Sequence, residues 1–117
     1  MPRQEPGEPY YRVDSKEAKV ILDKGNAVVI DVRRDDEWEA GHVKGAIHIP
    51  VDDVLGRIGE LPKGKKLLFI CAVGVRSGLG CEMAAAMGFP TSDLYNIEDG
   101  TPSWIEHKLP TSYGKAP

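Results

Sequence analysis

Cysteine is scarce in this chain, and long apolar runs are absent from it. The 117 residues include only Cys71 and Cys81, too few for a disulfide framework and typical of a reducing compartment. No run approaches the ~20 apolar residues that span a bilayer, and Met1–Pro6 lack the apolar region of a signal peptide. The sequence therefore predicts a cytoplasmic protein that does not bind membranes.

The sequence has no long block of charges of one sign. The charged residues are interspersed and leave a net charge of -3, so no basic block marks a surface for nucleic acid or anionic lipid. His42 and His48 do not have the helical or short-loop spacing of a metal-ligand set with the cysteines. We therefore expect no nucleic-acid partner, no metal and no cofactor.

Apolar segments alternate with helix-like segments along most of the chain. Such alternation predicts a three-layer α/β fold, in which helices cover both faces of a mostly parallel sheet. The length suits one core, which we place at residues 10–110, between flexible tails at 1–9 and 111–117. Predicted strands cover 10–13, 27–32, 46–49, 67–70 and 93–97. Predicted helices or helical turns lie at 14–25, 34–40, 51–59 and from about 77 to 88, and a last helix starts at 101.

Local residue chemistry predicts where several helices begin. Asp14 can accept the free amides of the first helix while Glu17 reaches back, in a capping-box arrangement. The apolar spacing within residues 51–58 predicts a further helix, ended by a glycine. Thr101 is expected to cap the last helix, with Pro102 at the first helical position, where proline is tolerated.

One stretch combines a buried strand, a tight loop and a helix start. The apolar run Leu67–Ile70 ends on Cys71, and an alanine- and methionine-rich segment follows the loop at 72–77. Ligands of parallel-sheet proteins bind beyond the strand ends, where the first amides of a helix lack partners and carry partial positive charge. These amides and Arg76 are expected to lower the pKa of the Cys71 thiol. The sequence therefore predicts a nucleophilic cysteine in an anion-binding loop.

This stretch resembles the active-site segment of the rhodanese-like domains, a sulfurtransferase family. The likeness covers residues 13–110 in the family's order, and it implies five strands with the Cys71 strand at the centre of the sheet. Besides the Cys-x4-Arg-Ser loop, the matching motifs are Asp31–Arg33, Glu39–Val43, Gly45–Pro50, Asp99–Gly100, Trp104 and Leu109–Pro110.

The resemblance implies a double displacement at sulfur. Cys71 attacks the sulfane sulfur of thiosulfate, a persulfide or a polysulfide, holds it as a persulfide, and passes it to a thiol, to cyanide or to a sulfur-carrier protein. Glycines 74 and 78 are expected to let the backbone approach the anion closely. The expected anion cradle consists of Ala72, Val73, Gly74, Val75, Arg76 and Ser77, with Asp31 and Arg33 as supporting, chiefly architectural residues.

Several alternatives remain open at this level. Ala72, Val73 and Val75 are apolar, whereas many family members that use thiosulfate have basic or polar loop residues, so a persulfide donor is a serious alternative. The alternative function is a rhodanese-like module without catalysis that docks a partner through the same cleft. A thiol phosphatase or arsenate reductase is disfavoured, because the phosphatase-like relatives have five residues between cysteine and arginine and this chain has four.

Individual polar residues also allow two interpretations. Arg76 either binds the anionic donor or forms an ion pair with Asp31 or Glu98 that fixes the loop. Cys81 lies inside a predicted helix and is expected to be buried rather than to act as a resolving thiol. The acidic run at 35–39 is interpreted as a solvated face.

Overall fold

Five parallel strands form the central sheet of the computed structural model, which describes residues 2–117. Each strand is hydrogen-bonded in parallel to its neighbour, so the predicted parallel sheet with the Cys71 strand at its centre is confirmed. In spatial order the strands are β1 (Tyr11–Val13), β6 (Leu94–Ile97), β5 (Lys66–Ile70), β2 (Ala27–Asp31) and β4 (Ile47–His48).

The helices connect these strands in the predicted alternation. The first helix begins as its sequence predicts: the Asp14 carboxylate accepts from the Glu17 amide over 2.8 Å, and the Glu17 carboxylate accepts from the Asp14 amide over 2.9 Å. The α-helices are α1 (Ser15–Asp23), α2 (Asp35–Ala40), α3 (Val75–Ala86) and α4 (Gly100–Glu106).

Alternate side chains of β5 face opposite sides of the sheet and build two separate cores. Leu67 and Phe69 pack on the side that holds α3 and the segment 51–60, whereas Leu68 and Ile70 pack on the side that holds α1 and α4. All four side chains are fully buried. The central strand is therefore held from both faces, which fixes the position of the residue that follows it.

Residues 51–60 correct one prediction. In place of a continuous helix, they form two short 3-10 turns, Val51–Asp53 and Ile58–Glu60, on either side of Gly56. Glycine costs about 1 kcal/mol relative to alanine inside a helix, and here it interrupts the repeat. The apolar spacing is only partly matched by burial: Val54 is fully buried and Val51 and Ile58 are half-buried, but Leu55 is 50% exposed.

The start of α4 corrects a second prediction. The helix begins at Gly100, after Asp99, so Thr101 lies inside it rather than capping it. The amide of Thr101 instead donates to the carbonyl oxygen of Cys71 over 2.9 Å. This long-range bond gives an amide of the first helical turn a partner, so the helix can begin close to the end of β5.

The terminal segments carry contacts with the sheet. Arg3 exchanges two backbone hydrogen bonds with Arg12, of 2.8 and 2.6 Å. Near the other end, β7 (Thr111–Ser112) pairs antiparallel with β3 (His42–Val43) in a second, two-stranded sheet that the sequence analysis did not predict. The domain limits at 10 and 110 stay predictions, but the described parts of both predicted tails are tied to the domain by these bonds.

Candidate functional site

Cys71 follows the last residue of the central strand. Its neighbours β2 and β6 end at the same edge, so the cysteine lies in the cleft beyond the carboxyl ends of the parallel strands. The residue is only 1% exposed, so the surrounding loop covers the sulfur. A reaction partner must therefore present a projecting atom to it.

The loop turns sharply at Gly74 and directs its amides at the sulfur. Gly74 has φ +91°, in the left-handed region, and immediately precedes α3. Its amide donates to Cys71 Sγ over 3.1 Å. A Cβ at this position would lie 2.8 Å from the carbonyl oxygen of Glu98, so both the backbone angle and the space require glycine. Gly78 differs from the expectation: it lies inside α3, and a Cβ there would lie 3.2 Å from Tyr10 Oη, so it serves packing rather than anion approach.

These donors set the acidity of Cys71. Burial raises the pKa of its thiol, but the hydrogen bond between its sulfur and the Ser77 hydroxyl, together with hydrogen bonds from the amides of Ser77, Val73 and Gly74, outweighs burial and lowers the pKa overall. The donors lie on the loop and the first turn of α3, where helix amides lack internal partners. The site therefore favours the thiolate, which is the nucleophilic form of cysteine.

A buried polar pair supports this loop from β6. Ser77 Oγ lies 3.3 Å from Cys71 Sγ and donates its proton to Asn96 Oδ1 over 2.5 Å. The amide group of Asn96 donates to the Gly74 carbonyl over 3.0 Å, which fixes the orientation of its side chain. The sequence analysis did not identify Asn96. The local pattern around a strand residue does not indicate that its side chain contacts the loop that follows a neighbouring strand.

Arg76 is bound by a carboxylate that the sequence analysis did not consider as its partner. Its two terminal nitrogens lie 2.6 and 2.9 Å from the two oxygens of Glu37, in a bidentate ion pair. The predicted ion pair of Arg76 with Asp31 or Glu98 is therefore wrong. The acidic run 35–39 is not solely a solvated face, because Glu37 belongs to it. The hydrogen bonds from Arg76 lower the pKa of Glu37 to about 2 despite its partial burial, so this carboxylate is ionised at neutral pH.

Apolar side chains form the mouth of the loop. Val73 is 73% exposed and Val75 is 75% exposed, unusual values for valine. They flank Gly74, whose amide faces the sulfur. Ala72 lies between Cys71 and Val73 and is half-buried. The loop thus presents hydrocarbon outward and amides inward.

Asp31 and Arg33 form a buried ion pair at the end of β2. Arg33 Nη2 donates to Asp31 over 2.8 Å and to the carbonyl oxygen of Gly41 over 2.8 Å, which joins β2 to the start of β3. Both side chains face each other rather than the sulfur, and Asp31 is fully buried. This arrangement favours the architectural role expected for them.

The start of α4 packs against the backbone of the loop that follows Cys71. Gly100 has φ +75°, and a Cβ on it would lie 1.9 Å from the carbonyl oxygen of Ala72, so only glycine fits against this backbone. Thr101 donates its amide to the Cys71 carbonyl. The signal for this contact was present in the Asp99-Gly100 motif, but the motif alone does not say which backbone the glycine approaches.

Three other candidate groups lie apart from this chemistry. His42 and His48 stack on Trp38, with ring centroids 3.4 and 4.7 Å from it, and both rings are hydrogen-bonded to backbone carbonyl oxygens. Cys81 is fully buried and donates to the Tyr95 carbonyl. Burial raises the pKa of Cys81 well above its ordinary value, so it remains a thiol. Both cysteines are free.

Residues 2–117 contain neither a candidate metal site nor a helix that could span a membrane. No group of three or more histidine, cysteine, aspartate or glutamate side chains there could hold a metal ion. Within the same residues, none of the helices has the length and apolar character needed to cross a membrane.

The fold and the site together define an α/β protein whose central strand ends in a cysteine surrounded by loop amides. A family model described as the rhodanese-like domain matches residues 14–107. The chain therefore belongs to the rhodanese-like family, and the resemblance noted from its motifs is confirmed.

Individual relatives agree with this assignment. The Bacillus subtilis protein YtwF is 37% identical over 76 residues, which cover 65% of this chain and 71% of YtwF. A protein named sulfurtransferase from Allochromatium vinosum is 26% identical over 77% of this chain and 82% of its own length. The crystal structure of a rhodanese-related protein from Thermoplasma volcanium superposes with a TM-score of 0.76 at 27% identity, covering 86% of this chain and 96% of that one.

Proposed function

We propose that this chain is a sulfurtransferase that carries sulfane sulfur on Cys71. The observation that supports it most directly is the contact between the Gly74 amide and Cys71 Sγ, because that amide and its neighbours favour the thiolate. The same donors suit the negative charge that a persulfide carries on its outer sulfur. The sulfurtransferase name of the Allochromatium relative agrees with this proposal.

The reaction has two displacement steps. The Cys71 thiolate attacks the outer sulfur of the donor; the new Cys71 sulfur-sulfur bond forms as the donor's sulfur-sulfur bond breaks, and sulfite or a thiolate leaves with the electron pair. A thiolate or cyanide then attacks the outer sulfur, and Cys71 leaves as a thiolate again. The donor is thiosulfate, a persulfide or a polysulfide, and the acceptor is a thiol, cyanide or a sulfur-carrier protein. No external oxidant is needed.

The cradle at 72–77 has separate tasks within this proposal. The amides of Val73, Gly74 and Ser77 stabilise charge on sulfur, and the exposed side chains of Val73 and Val75 border the mouth of the loop. Arg76 shapes the loop through its ion pair with Glu37. A cytoplasmic location belongs to the same proposal, because a persulfide-forming cysteine and a second free thiol suit a reducing compartment.

A binding module without turnover is the second candidate. The exposed side chains of Val73 and Val75 favour it, because an apolar rim at the mouth of a cleft suits a partner surface. Under this alternative Cys71, which is 1% exposed, would be a covered loop residue. The two candidates differ in one measurable respect, which is sulfur transfer that depends on Cys71.

The test compares the wild type with Cys71→Ser, and uses Cys81→Ser as the matched control. Each protein is incubated with thiosulfate and, separately, with 2-hydroxyethyl persulfide, then analysed by intact mass and by thiocyanate formed from cyanide. We expect the mass of one added sulfur atom in the wild type and in Cys81→Ser, and none in Cys71→Ser. Absence of loading by both donors would favour the binding module, and equal turnover by Cys71→Ser would overturn the assignment of Cys71 as the sulfur carrier.

A further inference from the structure

The positive charge of Arg76 is already paired with a carboxylate when no sulfur donor is bound. Arg76 is the sole basic residue among residues 71–77, and both of its terminal nitrogens are engaged by Glu37. The side chains are 29% and 19% exposed, so solvent screens this pair only partly. Since the ion pair lowers the pKa of Glu37 to about 2, the carboxylate stays charged at neutral pH.

Other basic side chains at this edge of the sheet are also paired. Arg34, which lines a cavity of about 280 Å³ together with Arg76, lies 3.1 Å from Asp36 and 3.5 Å from Glu37. Arg33 is engaged by Asp31. Each of these guanidinium groups therefore faces a carboxylate, and backbone amides are the donors directed at the sulfur.

The two donor classes place very different charge on such a site. Attack of the Cys71 thiolate on thiosulfate brings together three negative charges; the Cys71 sulfur-sulfur bond forms and sulfite leaves with two of them. Attack on a protonated organic persulfide involves one negative charge, which leaves with the organic thiolate while the proton stays on the transferred sulfur. Amide dipoles without an uncompensated cation stabilise one charge much better than three, and the valine rim lowers the local polarity further.

From these observations we infer that Glu37 is a specificity-determining residue: by neutralising Arg76, it makes the Cys71 site select organic persulfides over thiosulfate. The inference rests on the proposed sulfurtransferase function and narrows its donor. Glu37 acts through Arg76 and does not touch the sulfur. Val73 and Val75 add contact for the organic part of the donor, which thiosulfate lacks.

The test uses Glu37→Gln, which removes the charge and keeps a side-chain oxygen for the backbone amide of Arg34. The matched control is Asp36→Asn, an equal charge change at a neighbouring exposed residue that pairs with Arg34 and does not contact Arg76. For each protein, kcat/KM is measured with thiosulfate and with 2-hydroxyethyl persulfide, which carries no other charged group. Because both kcat/KM values are measured on the same protein sample, their ratio does not depend on the fraction of that protein that is folded.

Glu37→Gln is expected to raise kcat/KM about tenfold for thiosulfate and about threefold or less for the persulfide, as one freed positive charge acts more strongly on a dianion. The thiosulfate gain should shrink as salt is added. Asp36→Asn should change the ratio by less than about twofold, since its partner is exposed.

An unchanged ratio in Glu37→Gln, or an equal change in Asp36→Asn, would overturn the inference and leave the sulfurtransferase proposal intact. A wild type that already prefers thiosulfate would overturn it as well. If neither donor loads Cys71 in any of the three proteins, the proposed function itself fails, and the inference about Glu37 fails with it.

Discussion

The Ser77 hydroxyl donates its one proton to Asn96 Oδ1 over 2.5 Å. The orientation of Asn96 leaves no alternative, because its nitrogen donates to the Gly74 carbonyl on the other side. In this state Ser77 can only accept a hydrogen bond from the Cys71 thiol. When Cys71 ionises, the hydroxyl must turn its proton to the sulfur, so the thiolate and Asn96 compete for one donor.

The first prediction concerns Ser77. In Ser77→Ala the pKa of Cys71 should rise, because the thiolate loses a side-chain hydrogen-bond donor. The remaining amides then offset less of the rise in pKa that burial causes. The pH dependence of alkylation by iodoacetamide, followed by mass spectrometry, measures this shift. The matched control is Ser103→Ala, which removes an equally small hydroxyl on α4 that bonds Asp99, outside the loop. A midpoint equal to that of the wild type would show that Ser77 does not donate to the thiolate.

The second prediction separates two roles of Asn96. In Asn96→Ala the Ser77 hydroxyl loses its competing acceptor, so the pKa of Cys71 should fall below that of the wild type. The variant should also unfold more easily by about 1 kcal/mol, since the Gly74 carbonyl loses its donor. A higher pKa of Cys71 in the same alkylation experiment would contradict this prediction. It would mean that the support that Asn96 gives to the loop affects the thiolate more than the competition for the Ser77 proton does.

A third prediction concerns the two thiols. Native protein treated with iodoacetamide over about pH 5 to about pH 10 should be modified at Cys71 well before Cys81, because loop donors lower the first pKa and burial raises the second. Peptide mapping identifies the alkylated residue. In urea both cysteines should react at similar rates. Faster reaction of Cys81 in the native protein would contradict the assignment.

A fourth prediction concerns Gly100. Gly100→Ala should lower the free energy of unfolding by about 3 kcal/mol or more, because the new Cβ meets the Ala72 carbonyl and the backbone angle is left-handed. Sulfur loading of Cys71 should fall in the fraction that remains folded. Gly59→Ala is the control, since open space surrounds that position and its φ is not positive. Equal urea midpoints for the two variants would contradict the close approach.

The fifth prediction concerns pH and the Arg76–Glu37 pair. The pKa of Glu37 is lowered from 4.5 to about 2 in the folded protein, so the pair's contribution is present above about pH 4.5 and is lost as the pH falls towards 2. Glu37→Gln should therefore cost about 1 kcal/mol in urea unfolding at neutral pH, and much less below about pH 3. A cost that does not change with pH would mean that packing, rather than charge, holds the pair.

Much of the fold could be predicted from local sequence. The capping box at Asp14 and Glu17, the apolar run of β5 and the loop that follows it depend on residues within a few positions of one another. Two local patterns gave wrong predictions. Gly56 interrupts the helix predicted within residues 51–60, and the hydrogen bond from the Thr101 amide to the Cys71 carbonyl allows α4 to begin before Thr101.

By itself, the sequence determined the alternation of strands and helices, the place of Cys71 after a buried strand, and the family. Only the tertiary structure decided which groups surround that cysteine: Glu37 lies 39 positions before Arg76, and Asn96 lies 19 positions after Ser77. Periodicity and capping act over a few residues and can be read along the chain. Ion pairs and buried hydrogen bonds join side chains across neighbouring connections, so they exist only once the sheet has brought those connections together.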